Sequence, residues 1–306
     1  MKVLLAGATG AIGRPLVRRL AEAGHDVVGL TRRQDRVAQI EAAGARGVVC
    51  DVIDRKAVLA VAEETRPDVV MDQTTALPQR YDARRMDKFY EKMVPLRLQG
   101  SPNLIEAAQA VGAKSVFQSV AFMYAPNGNG RLCTEDDPPY EHDAPFPWDL
   151  ALPAIIALER RVVDIGGLVL RYGMFYGPGT HFDDGQIAAD VKKRRLPIVG
   201  KGQGVWSFVH VDDAAAATVA ALESGAIGIV NVVDDEPIPM REWVPAFAKA
   251  KGAPRPFRVP AWLVRRMGMP LVAHWGTTLP GASNARARAL GWAPRRPSVR
   301  EGFAES

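Results

Sequence analysis

The stretch "MKVLLAGATGAIGRPLVRRLAEAGHDVVGLTRR", residues 1–33, decides the fold. Val3 to Ala6 is a short apolar run of the kind that fills a buried parallel strand. Ile12, Leu16, Val17 and Leu20 then recur at helical spacing. Asp26 to Leu30 is apolar again, so the stretch reads strand, helix, strand. Gly7, Gly10 and Gly13 fall in the first turn, with Thr9, Ala11 and Ile12 completing it. A turn this tight needs a positive φ and no side chains where a pyrophosphate approaches, and the amides that open the helix then face the phosphates. Three glycines alone are a weak signal. Placed between a strand and a helix, with a second strand following, they point to a dinucleotide.

The second strand ends in Thr31, Arg32 and Arg33. An acid here would take the ribose 2′-hydroxyl of NAD, whereas a forked guanidinium suits the 2′-phosphate of NADP. The sequence therefore predicts NADP(H), with Arg32 ahead of Arg33 as the contact; the alternative is that the arginines start an exposed helix face. Strand–helix alternation continues. "GVVCD" predicts a third strand, with Asp51 and Val52 at its end. Asp51 suits either the adenine edge or a helix cap. "DVVMDQTT" predicts a fourth strand that delivers Gln73 and Thr74, a long helical region covers Asp87 to Val111, and "SVFQSV" predicts a fifth strand. Parallel strands with right-handed crossovers bring these ends to one edge.

The chain has 306 residues, 47% hydrophobic and 24% charged, ordinary values for a water-soluble globular protein. Its net charge of +5 comes from basic pairs scattered along the sequence, which does not make a nucleic-acid stripe. Cys50 and Cys133 lack metal-ligand spacing and read as free thiols. No apolar run approaches membrane-spanning length, so a cytoplasmic protein is the expectation.

Taken in order, "GATGAIG" at 7–13, "FQSVAFMYAP" at 117–126, "LRYGMFYGPGT" at 170–180, "SFVHVDDAA" at 207–215, "NVVDDEP" at 231–237 and "LGWAPRRPSVREGF" at 290–303 resemble the short-chain dehydrogenase/reductase superfamily, in its extended, epimerase/dehydratase-like branch. The resemblance spans nearly the whole chain. It implies an α/β fold: a Rossmann-type doubly wound parallel sheet over 1–175, interleaved with a smaller C-terminal α/β substrate lobe over 176–306. It implies NAD(P) chemistry on a small molecule and dimerisation through two helices. Ser119 and Tyr172, at the ends of the fifth and sixth strands, join the cofactor set.

One part of the resemblance fails. The family carries Tyr-x-x-x-Lys on the helix after the fifth strand. Counting back from Glu159 puts Ala151 and Ile155 at those positions, and no lysine lies between Lys114 and Lys192. The helix, "ALPAIIALERRVV", is apolar almost all round, which predicts burial on two sides, one against a partner subunit; Pro153 is expected in its first turn. A proton donor must then come from elsewhere. Tyr124 is the first choice, His181 the rival, and Ser119 a hydrogen-bonding partner for substrate; each has a plain structural alternative, as packed aromatic, loop residue and strand-end hydroxyl. Trp206 stands where relatives carry arginine and predicts an aromatic-lined substrate pocket that also receives Tyr124 and His181. The combined expectation is an NADP(H)-dependent reductase of a small organic metabolite. The alternatives are a sugar-nucleotide epimerase or dehydratase and a non-enzymatic NADP-binding regulator.

Overall fold

A computed structural model of the chain describes residues 1–78, 82, 86–128, 130–140 and 143–305. It opens with β1 (Lys2–Ala6), α1 (Gly13–Glu22), β2 (Asp26–Thr31), α2 (Val37–Glu41), β3 (Arg46–Val49), α3 (Arg55–Thr65) and β4 (Val69–Asp72). The long helical region then runs unbroken as α4 (Met86–Pro95), a π-helical turn (Leu96–Gly100) and α5 (Ser101–Val111). After it come β5 (Lys114–Val120), α6 (Trp148–Asp164), β6 (Leu168–Tyr172), β7 (Met174–Tyr176), α7 (Gln186–Lys192), β8 (Ile198–Val199), β9 (Val205–Trp206), β10 (Phe208–His210), α8 (Val211–Glu223) and β11 (Gly228–Val232).

Seven strands form one sheet in the order β11-β6-β5-β4-β1-β2-β3. Every pairing in it is parallel. The central strands are buried along their length, β4 without exception, which is why they are continuous apolar runs rather than alternating ones. The order reverses between β1 and β4. In open sheets of this kind the ligand crevice lies there, outside the carboxyl ends of the strands. Beyond residue 176 the chain returns to this sheet: β11 pairs with β6, and α8 packs on α1. The rest of the C-terminal part builds a separate aromatic core in which Phe182, Phe208, Trp243, Phe247 and Phe303 are all buried.

Helix α6 departs from the all-round burial that its composition predicts. Ala151, Leu152, Ile155, Leu158, Glu159 and Val162 form one buried stripe, while Leu150 is 48% exposed and Val163 37%. The helix begins at Trp148, so Pro153 sits inside it, past the first turn. No side chain caps its start, and Asp149 lies within the first turn.

Candidate active site

The glycine loop joins β1 to α1 at the switch point. Gly7 has φ +83° and accepts a 3.0 Å hydrogen bond from the Gly10 amide. A Cβ on Gly7 would overlap the Gln73 carbonyl, and one on Gly13 would overlap the Gly7 carbonyl. The turn is therefore closed to any larger residue at both positions. Helix α1 has Ile12 at its N-cap, with no side-chain cap and no acid in its first turn. Its Arg14 amide donates to the Gly10 carbonyl at 3.1 Å and Pro15 has no amide hydrogen, so the Ile12 and Gly13 amides are the ones that suit an anion. Thr9, Gly10 and Ala11 are partly accessible at the rim, and Ile12 is buried beneath it.

Gln73 links this loop to the neighbouring strands. Its amide donates to the Ala6 carbonyl at 3.0 Å, and its side-chain Nε2 donates to the Tyr172 hydroxyl at 3.3 Å. Its buried Oε1 has no hydrogen-bond partner among the described residues. Tyr172 is interior: its hydroxyl also meets Thr218 Oγ1 at 2.7 Å, and burial pushes its pKa well up. Thr74 gives its amide and hydroxyl to Asp72 Oδ1 at 2.8 and 2.6 Å. The fold thus gathers Gly7, Gln73, Thr74 and Tyr172 at one edge.

The far side of the switch point carries the predicted adenosine contacts. Arg32 is exposed, with no hydrogen bond or ion pair among the described residues. Arg33 is engaged: its Nε donates to Asp35 Oδ1 at 2.9 Å, and that carboxylate raises its pKa. Asp51 is exposed and accepts from the Ile53 amide at 3.1 Å. The cap of α3 is Asp54, which accepts from the Ala57 amide at 3.1 Å, so the capping alternative for Asp51 does not hold. Val52 is buried, and its carbonyl accepts from Asn103 Nδ2 at 2.9 Å.

The predicted proton donor is placed differently. Tyr124 is fully buried. Its hydroxyl donates to Asn231 Oδ1 at 2.7 Å and accepts from Arg171 Nη1 at 2.9 Å. Arg171 in turn pairs with buried Glu159 at 2.9 and 2.6 Å. Burial pushes the phenol to about 12 despite the neighbouring guanidinium. This hydroxyl is committed on both sides inside the protein, so the donor assignment is withdrawn and Tyr124 is a structural residue. Ser119 is also buried, its hydroxyl 3.9 Å from Met123 Sδ. His181 stands on the loop between β7 and α7, its backbone carbonyl accepting from Ile187 and Ala188, and burial lowers its pKa. Trp206 is buried in the C-terminal core, its indole N–H given to the Trp275 carbonyl at 2.9 Å.

Where the resemblance leads one to look for tyrosine and lysine, the side chains are apolar and aromatic. Ala151 and Ile155 are buried with Tyr90, Met123, Trp148, Leu152 and Leu271. Phe122 stacks on Trp148 at 5.9 Å and meets Trp275 edge-on at 5.7 Å; Trp275 reaches Trp206 at 5.7 Å. An aromatic wall therefore joins the start of α6 to the C-terminal lobe. Tyr140, remote in sequence, joins this cluster, with its hydroxyl 3.3 Å from His274 Nε2. Burial and Arg265 push His274 down to about 4, so the ring is neutral at ordinary pH. Sequence reasoning missed Arg97 as well. It lies on the π-helical turn and is only 8% exposed, with Nη1 3.6 Å from Asp72 Oδ2. Its one signal in the sequence is a charge inside the apolar run "MVPLRLQG", 93–100.

Comparison with known proteins agrees with this fold. The chain is 46% identical, over 309 aligned positions covering 99% of both chains, to a 3-diazoavenalumate denitrifying reductase of Streptomyces sp.. It is 27% identical to a 2-alkyl-3-oxoalkanoate reductase of Stenotrophomonas maltophilia, over 83% of this chain and 77% of that one. The fold matches UDP-glucose 4-epimerase of Thermus thermophilus, solved with NAD, at TM-score 0.76 and 25% identity, covering 99% and 97% of the two chains. The model of the NAD dependent epimerase/dehydratase family matches residues 3–232. With a glycine loop at the switch point of a parallel sheet, this chain belongs to the NAD dependent epimerase/dehydratase family and is an enzyme of its NAD(P)-dependent oxidoreductase or epimerase-like kind.

Proposed function

We propose that the protein is an NADP(H)-dependent reductase of an aromatic diazo compound, replacing the diazo group by hydrogen with loss of N2. One observation carries this reading: the position of the family's proton donor is filled by Ala151 and Ile155 inside an aromatic cluster, in a chain 46% identical to a denitrifying reductase. Reduction of a carbonyl takes up a hydride and a proton, and so needs an acid. Reductive loss of nitrogen from an aryl diazonium does not. A C–H bond forms, the C–N bond breaks with its electron pair leaving in N2, and one hydride balances the single positive charge.

The chain's residues fit a dinucleotide. The uncapped amides at the start of α1 and the closed turn at Gly7 and Gly13 would hold the pyrophosphate, with Thr9, Gly10, Ala11 and Ile12 around it. Arg32, exposed at the end of β2, would take the 2′-phosphate, while Arg33 is spent on Asp35. Asp51 and Val52 would border the adenine; Gln73, Thr74, Ser119 and Tyr172 would border the other half. Bound there, the cofactor supplies the hydride. The aromatic wall would exclude water, which protects a reactive diazonium from hydrolysis. His181 on the loop after β7 and Trp206 through Trp275 would border the substrate from the second lobe. The apolar residues left exposed beside α6, Leu150, Val163 and Leu98, fit a homodimer interface.

The test is to incubate the protein with NADPH and an aryl diazonium, following NADPH oxidation and N2 release together. Equal amounts of both, with no turnover of a panel of simple ketones, support the reading. Ketone reduction without N2 release would overturn it.

A further inference from the structure

We infer that Arg97 is the substrate-recognition cation of this enzyme, taking a carboxylate carried by the aromatic substrate; the inference deepens the reductase reading above and rests on it. Arg97 and Leu98 are inside out. The arginine is 8% exposed and the leucine 58%. The π-helical turn that carries them is a rare local geometry that often marks functional sites. Burying a guanidinium is costly unless its donors find partners.

Here the one partner is an ion pair, Nη1 to Asp72 Oδ2 at 3.6 Å; among the described residues the Arg97 side chain donates no hydrogen bond. The one carboxylate near it, Asp72, already accepts from Thr74 N, Thr74 Oγ1 and Ser101 Oγ, and lies 3.6 Å away. Glu159 borders the same cavity but gives both oxygens to Arg171. The positive charge on Arg97 is thus under-compensated, which favours an anion over a neutral hydroxyl.

The cavity it faces says what kind of anion. Met93, Ser119, Val120 and Ile155 line it with Arg97. Met93, Val120 and Ile155 also belong to the cluster of Tyr90 and Trp148. In that cluster the buried indole N–H of Trp148 has no hydrogen-bond partner among the described residues. The cavity itself is only about 20 Å³, so it takes the oxyanion alone, and the ring would lie against the aromatic cluster beside it. The strand order places the cavity on the β4–β5 side of the glycine loop, away from Arg32. Its ligand is therefore not the 2′-phosphate.

The test is calorimetric binding of para-hydroxybenzoate and of its methyl ester to the NADP+-loaded protein, with no turnover required. Wild type is expected to prefer the acid by about ten- to a hundredfold, as a charge-assisted contact implies. Arg97→Gln should erase that preference, Arg97→Lys should keep part of it, and NADPH affinity should stay within about twofold for both. Equal binding of acid and ester by wild type, binding of neither, or an Arg97→Gln variant that loses NADPH affinity while keeping the preference would overturn the proposal. Should Arg97→Gln fail to fold, the wild-type preference and its reduction in Arg97→Lys decide. An acid preference that depends on Arg97, in a protein that fails to release N2 from diazonium compounds, would leave this assignment standing and remove the reductase reading alone.

Discussion

The two ends of β1 and β5 are built to opposite rules. At β1 the glycine loop keeps every feature a dinucleotide needs: a positive φ at Gly7, no room at Gly13 and an uncapped helix start. At β5, where the next helix would bring tyrosine and lysine, Ala151 and Ile155 pack with Tyr90 and Trp148 instead. A chain that no longer bound a dinucleotide would be under no constraint to keep the first region intact. A carbonyl reductase would need the second. Keeping one and replacing the other is what hydride transfer without general acid catalysis calls for.

The largest expected effect comes from breaking the first region. Gly13→Ala drives a methyl group into the Gly7 carbonyl. Dinucleotide binding, followed by fluorescence titration, should fall by at least about a hundredfold. Unaltered affinity would mean that the loop is not the pyrophosphate site. A narrower change sharpens the cofactor assignment. Arg32→Ala should weaken NADPH binding by about ten- to a hundredfold, the worth of a charge-assisted contact, and leave NADH almost unchanged. Equal loss for both cofactors would remove the NADP preference.

Tyr124 tests the second region. Tyr124→Phe leaves buried Asn231 and Arg171 each short of a partner, which should cost about 1–3 kcal/mol in denaturant unfolding. Turnover per folded molecule should be unchanged. A drop of about a hundredfold or more in turnover, the size of a lost general acid, would restore the phenol to the mechanism.

The smallest effect is on the pH dependence of stability, set by His274 at the edge of the aromatic cluster. Its folded pKa of about 4 lies below the ordinary 6.5. Between those values the unfolded chain binds the extra proton, so the contribution is complete above the upper value and is lost as pH falls toward the lower. From pH 7 to pH 5 the ring should cost about 2 kcal/mol of stability, and His274→Gln should flatten that part of the profile. An equal slope in the variant would place the pH sensitivity elsewhere.

The contrast between the regions also explains what the sequence discloses. The glycine loop is local: strand, turn and helix lie within consecutive residues, and periodicity with turn chemistry reads them directly. The seven-stranded parallel sheet follows from the same alternation. Tyr124 was misread as a donor because its environment is assembled from afar. Arg171 is 47 residues away on β6 and Asn231 107 residues away on β11. Composition alone made α6 look buried on all sides, whereas its stripe of Ala151, Ile155, Leu158 and Val162 turns inward and Leu150 turns out. Arg97 left only a faint signal, because a π-helical turn shifts the faces that ordinary helical spacing assigns. Tyr140 lies well before α6 along the chain, yet the fold returns it to the cluster around Ala151.

The central claim, reduction without an acid, is tested most directly by isotope tracing of the arene product. In ordinary water, with NADPH deuterated at the transferred position, the carbon that loses N2 should carry one deuterium. In heavy water with ordinary NADPH it should carry none, and the rate should be almost unaffected by the solvent. Solvent deuterium at that carbon, or a large solvent isotope effect on turnover, would contradict the account and require a proton donor in the site.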